Sequence, residues 1–178
     1  HQGRLDEAEI QLNQTLVTDP LLAEARGTLS RLFLTAGQYE LAISHATEAI
    51  ELNPGQVVVL AARGHALLQS ERIDEGIAEF MALANLPWSG DRERAQLVYA
   101  LAFAGRSDEA RERFHGINDL TSETAAAYHV AMAYVALGDA DQAFAWLRRA
   151  HIALDPWISA LKIDPAFAPL RTDARFGP

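Results

Sequence analysis

Side chains able to do chemistry are scattered along this sequence without the spacings that chemistry needs. Its six histidines stand at positions 1, 45, 65, 115, 129 and 151. None falls in a His-Glu-x-x-His pair, which sets two imidazoles one helical turn apart to hold zinc. The chain has no Cys, which excludes a thiolate nucleophile, a disulfide framework and a Cys-based zinc site. Asp139-Ala140-Asp141 opens like a calcium loop but lacks the Gly and the later ligands, so it is better read as the turn that starts a helix. There is no Gly-x-x-x-x-Gly-Lys-Ser/Thr phosphate loop, no Gly-x-Gly-x-x-Gly and no Gly-x-Ser-x-Gly. Carboxylates are plentiful, yet no spacing pairs two of them for acid-base work. The expectation is a non-enzyme with no cofactor and no metal, in which the useful chemistry is recognition.

The elements that position these residues follow from composition and periodicity. The 178 residues include 33 Ala and are 49% hydrophobic, 22% charged and only 8% aromatic, which favours a helical domain with a real core. At roughly 100–200 residues per domain, one domain is expected, spanning 1–178. Net charge is −9, and residues 1–54 carry three basic and eight acidic side chains. No segment is basic, so nucleic acid and an anionic membrane surface are excluded as partners. The longest nearly apolar run, residues 125–137, is too short to span a bilayer, which takes about 20 residues.

Set against itself at 34 residues, the chain repeats. Gly3, Gly37, Glu71, Gly105 and Gly138 fall in one column. Five residues on stand Ala8, Ala42, Gly76, Ala110 and Ala143, and nine on stand Leu12, Ala46, Phe80, Phe114 and Leu147. Before the Gly column come Ser30, Gly64, Val98 and Ala131, then Phe33, Leu67, Leu101 and Tyr134. Several units close with Pro, at Pro20, Pro54, Pro87 and Pro156. The pattern predicts helix pairs: a first helix such as Leu22 to Ala36, a Gly stop in the left-handed conformation, and a second helix ended near Pro. Acidic residues just after the column, Asp6-Glu7, Asp74-Glu75 and Asp108-Glu109, would sit in the first turn of that second helix, where its dipole favours them. Small residues let the helices approach and large ones fill the gaps between pairs.

This set of columns resembles the tetratricopeptide repeat (TPR). The resemblance implies an all-α fold, a right-handed α-α superhelix of helix-turn-helix hairpins. It comprises a half repeat at 3–20 and repeats at about 21–54, 55–88, 89–122 and 123–156. Glu71 and the displaced Pro87 make the unit around 57–88 the most distorted, and a local shift of superhelical twist is expected there. In TPR families the first helices line a concave groove that holds a peptide or an extended partner segment. Carried onto this sequence, the middle of that groove is Arg31, His65, Tyr99 and Met132. It is flanked by Glu24, Leu34, Val58, Leu68, Arg92, Phe103 and Tyr128. Aromatic residues at helical spacing serve equally as packing between helices. The Lys and Asn of a chaperone-type carboxylate clamp are missing from the matching places, Thr28, Ala62, Gln96 and His129.

Residues 157–178 break the periodicity. Pro156, Pro165 and Pro169 forbid one continuous helix. Trp157, Leu161, Phe167, Leu170 and Phe176 are suited to cover the last open apolar face as a Pro-rich C-terminal cap. The run from Leu161-Lys162-Ile163-Asp164-Pro165 to Asp173-Ala174-Arg175-Phe176 resembles the ending of bacterial TPR segments attached to winged-helix regulators, class III adenylate cyclases and serine/threonine kinases. It departs from them at Ala168, usually an acid, and Ala174, usually Pro. The resemblance implies a protein-protein interaction or scaffolding module, the regulatory or partner-docking segment of a larger bacterial protein. The alternatives are a small-molecule-sensing regulatory domain and a self-association module forming a homodimer through the N-terminal edge, where helix Asp6 to Val17 lacks a hairpin mate. The expected location is cytoplasmic, or periplasmic where an upstream membrane anchor exists.

Overall fold

In the computed structural model the described backbone covers residues 2–19, 21–115 and 126–176, with side chains described from residue 7 onward. The helices are α1 (Gln2–Thr18), α2 (Ala23–Thr35), α3 (Tyr39–Leu52), α4 (Val57–Gln69), α5 (Ile73–Ala84), α6 (Asp91–Phe103), α7 (Ser107–His115), α8 (Ala127–Ala136) and α9 (Ala140–Ile152). Three short 3-10 turns follow, at Pro156–Ala160, Pro165–Leu170 and Ala174–Phe176. Among the described residues there is no strand. The expected boundary between the units 89–122 and 123–156, together with Pro20 and the last two residues of the cap, lies outside the described residues. The chain divides into two compact units, 1–79 and 80–178, the division falling inside α5.

The pairing of helices is set by a stop that recurs with the repeat. Gln38, Arg72, Arg106 and Asp139 each donate a backbone N–H to a carbonyl five residues back, at Phe33, Leu67, Leu101 and Tyr134, over 2.9–3.0 Å. The bend needs a left-handed residue, and Gly37, Gly105 and Gly138 supply it at φ 74°, 77° and 80°. Glu71 adopts the same conformation at φ 65° despite its side chain. For a residue with a Cβ that conformation costs roughly 1–2 kcal/mol. Glu71→Gly is therefore expected to stabilise residues 1–79 by about 1 kcal/mol after the greater freedom of an unfolded Gly is deducted. Urea unfolding checks this, and an unchanged or lower midpoint would show that the Glu71 backbone carries no strain.

The first column behaves differently. α1 runs straight through Gly3, so Asp6 and Glu7 lie beyond its first turn, where the register placed them.

Within residues 1–79, Leu29 and Phe33 of α2, Ala42 and Ile43 of α3, and Ala66 and Leu67 of α4 form one core, with Leu12 and Leu16 of α1 packed on it. His45 stacks on Phe33 at 5.3 Å between centroids, and burial holds its imidazole below the ordinary value. α4 and α5 approach closely. A Cβ on Gly76 would lie 2.8 Å from Leu68 Cδ2 and 3.1 Å from the Gly64 carbonyl oxygen, which explains a small residue in that column. Arg63 and Glu79 pair across the same contact at 2.9 Å.

Within residues 80–178, α6 packs against α7 and α8, α8 against α9, and the turn 165–170 against α8. Phe114 meets Tyr134 edge-on at 4.7 Å. The cap is a ladder of three Asp residues nine apart. Asp155, Asp164 and Asp173 each accept, through Oδ1, the N–H two residues on, at Trp157, Ala166 and Arg175, over 2.9–3.0 Å. Each begins one 3-10 turn.

Candidate functional site

The expected groove residues separate by exposure. On residues 1–79, Glu24, Arg31 and Val58 are exposed or half-exposed, Leu34 and His65 are half-buried, and Leu68 is buried at 1%. Arg31 on α2 and His65 on α4 occupy equivalent register positions on two helices that pack against each other. Arg31 forms no ion pair with any described residue. Arg26, five residues earlier on α2, is instead tied to Glu48 of α3.

On residues 80–178, Arg92 is half-exposed and Phe103 is 41% exposed. Tyr99, Tyr128 and Met132 are 3%, 1% and 1% exposed. These three, with Leu68, are buried and serve as packing between helices. Tyr99 lies beside Phe103, with ring centroids 5.8 Å apart. Tyr128 is committed to the cap, donating its hydroxyl to Asp164 Oδ2 at 2.7 Å and packing on Phe167 at 5.0 Å. Arg92 approaches Glu93 at 3.8 Å, and Glu93 itself accepts the Gly90 N–H at 2.9 Å at the start of α6. His151 on α9 is exposed.

Periodicity passed over one further feature, a cleft of about 480 Å³ between α9 and the C-terminal turns. Its apolar wall includes Phe144, Leu147, Ile152, Ile158, Leu161 and Phe176, and Arg148, His151 and Arg175 stand on it as well. Arg175 spans the region, bonding Asp141 and Asp173 at 2.7 Å each and lying 4.3 Å over the Phe144 ring. Its guanidinium lowers the Asp173 carboxyl to about 2. The signal available in the sequence was the Asp155–Asp164–Asp173 spacing, which measures out three equal turns.

A family model described as tetratricopeptide repeat matches residues 23–56 and 124–150. The first range covers α2 and α3, and the second covers α8 and most of α9. The chain has a TPR fold. Among solved structures it is similar to YrrB, a TPR protein described as having an unusual peptide-binding site, at 19% identity and a TM-score of 0.57. That likeness covers 86% of this chain and 79% of YrrB. It is also similar to MamA AMB-1, at 21% identity and a TM-score of 0.54, covering 84% of this chain and 89% of that one. At these identities what is shared is the TPR fold. No curated protein shows significant similarity. Among the described residues no helix is long and apolar enough to cross a membrane.

Proposed function

We propose that this TPR domain docks a protein or peptide on the exposed faces of its first helices. The observation that carries the reading is Arg31, an exposed cation without an ion pair among the described residues, with Val58 and His65 at neighbouring places in the repeat. Arg is among the residues that dominate binding energy at interfaces. Glu24 and Leu34 flank this patch. On residues 80–178 the accessible counterparts are Arg92 and Phe103. The peptide-binding description of YrrB supports a peptide as the class of partner. The Asp-Pro-rich ending supports the finer reading of a docking segment within a larger bacterial regulator.

Panning a displayed peptide library on the full chain tests this. Peptides carrying an acidic residue are expected to be enriched. Arg31→Glu is expected to weaken peptides held on residues 1–79, and Phe103→Ala those held on residues 80–178, each about tenfold or more, equivalent to about 1.4 kcal/mol. Full retention of affinity in both variants would move recognition off these faces. Tyr99→Ala is not a binding test, because truncating a buried ring reports on folding.

A second reading, a homodimer through α1, is favoured by one observation. Ile10 and Val17 on α1 are 57% and 83% exposed.

A further inference from the structure

In the second helices of this fold the two positions held by Ile10 and Val17 face solvent. Thirty-four residues on they are Ser44 and Glu51, both exposed on α3. Sixty-eight residues on they are Ala78 on α5 and Asn85 just after it, again both exposed. On α7 the first of them is Glu112, also exposed. Polar or small side chains therefore hold these places on α3, α5 and α7. Only α9 resembles α1 in being apolar at both, with Ala145 and Ile152, and Ile152 is 80% exposed. Ile10 and Val17 lie seven residues apart, on one side of α1 two turns from each other. Asn13 and Gln14, both exposed, lie between them on that side, so Ile10 and Val17 are two separate apolar contact points where the equivalent helices carry polar or small residues.

The α9 side offers a complement. Its cleft is lined by apolar side chains with Arg148, His151 and Arg175; Arg175 is already paired with Asp141 and Asp173, so Arg148 is the arginine open to a partner. Arg148 is exposed and forms no ion pair with any described residue. The opposite sign prevails on α1. Its sequence carries Asp6, Glu7 and Glu9 against Arg4, and Glu7 is exposed one turn before Ile10. Residues 1–54 carry a net −5, whereas residues 140–178 carry five basic and four acidic side chains.

Resting on the self-association reading, we propose that the chain associates head to tail. The Ile10–Val17 stripe of one copy seats in the cleft between α9 and the C-terminal turns of the next, with Glu7 drawn toward the Arg148 rim. This contact joins two different surfaces, so each copy keeps a free stripe or a free cleft and can add another copy.

Sedimentation velocity on the full chain, from micromolar to millimolar concentration, tests the proposal. The average mass is expected to climb above the 19.5 kDa of one copy as concentration rises. Val17→Glu and Ile152→Glu alter exposed side chains, and circular dichroism verifies that both stay helical. Each alone is expected to weaken association at least about tenfold. Mixed in equal amounts they are expected to restore a discrete dimer and nothing larger, because one keeps its cleft and the other its stripe. A single-copy mass at every concentration overturns self-association altogether. Undiminished association of Ile152→Glu, with loss in Val17→Glu, overturns the head-to-tail contact in favour of paired α1 helices. Undiminished association of Val17→Glu overturns the role of the stripe.

Discussion

Phe167→Ala is expected to destabilise residues 80–178 by about 3–5 kcal/mol, the range for removing a fully buried phenyl ring. Phe167 is 0% exposed and sits in the middle of the three C-terminal turns. Those turns hold themselves poorly. A 3-10 turn has weaker hydrogen-bond geometry than an α-helix and seldom extends beyond a few residues. Their attachment therefore depends on side chains inserted against α8, of which Phe167, with Leu170 and Ala166, is the largest. Without the ring the turn 165–170 loses its contact with Tyr128 and α8 is uncovered. Urea unfolding of the full chain measures the loss. Amide exchange across residues 156–176 should accelerate in step with it. A loss below about 1 kcal/mol would mean that the turns are held by their Asp caps and by Arg175, with the ring contributing little. Phe176→Ala, a half-buried ring in the last turn, is the control and should cost visibly less.

The repeat register carried the helix pairs because each column answers a local demand. Gly37, Gly105 and Gly138 end helices in the conformation that only Gly adopts freely, and Ala42, Gly76 and Ala110 leave room for the neighbouring helix. Even the misfit at Glu71 was placed correctly by the register. The bond from the Arg72 N–H to the Leu67 carbonyl matches those at the other three stops and forces the same bend on whatever residue stands there. The register could not say which first-helix side chains remain open. Arg31 and Tyr99 occupy equivalent positions, yet one is exposed and the other is 3% exposed. The difference lies in how closely the next first helix approaches, a tertiary quantity with no period. Tyr128 illustrates the same limit, because its partner is Asp164, thirty-six residues away in a segment that has left the repeat. The cap was legible as a cap from its three prolines, but not as a ladder. In each of its hydrogen bonds a backbone N–H donates to the Asp side chain two residues before it, and apolar periodicity is blind to such bonds.

The Tyr128–Asp164 bond should make the domain sensitive to alkali. The Tyr128 hydroxyl is buried and donates to a carboxylate at 2.7 Å. Ionising it would leave an anion out of water beside a second negative charge and would abolish the bond. Burial first, and then Asp164, hold its folded-state value well above the ordinary tyrosine value of 10.0. A group raised on folding contributes its full stability below the unfolded value and loses it as pH climbs toward the folded one. Stability should therefore be flat with respect to this group up to about pH 10, then fall by about 1.4 kcal/mol per pH unit. Tyr134, half-buried near Asp139 and also raised, adds to the slope. Tyr128→Phe removes the Tyr128 share. At neutral pH that variant is expected to be less stable by about 1–3 kcal/mol, because Asp164 loses its buried donor. Above about pH 10 the gap between the two proteins should narrow with each unit, since the phenylalanine has no proton to lose. Urea titrations at neutral pH and at two values well into the alkaline range measure that gap. A gap that stays constant across them would show that the phenol is as free to ionise in the folded domain as in the unfolded chain.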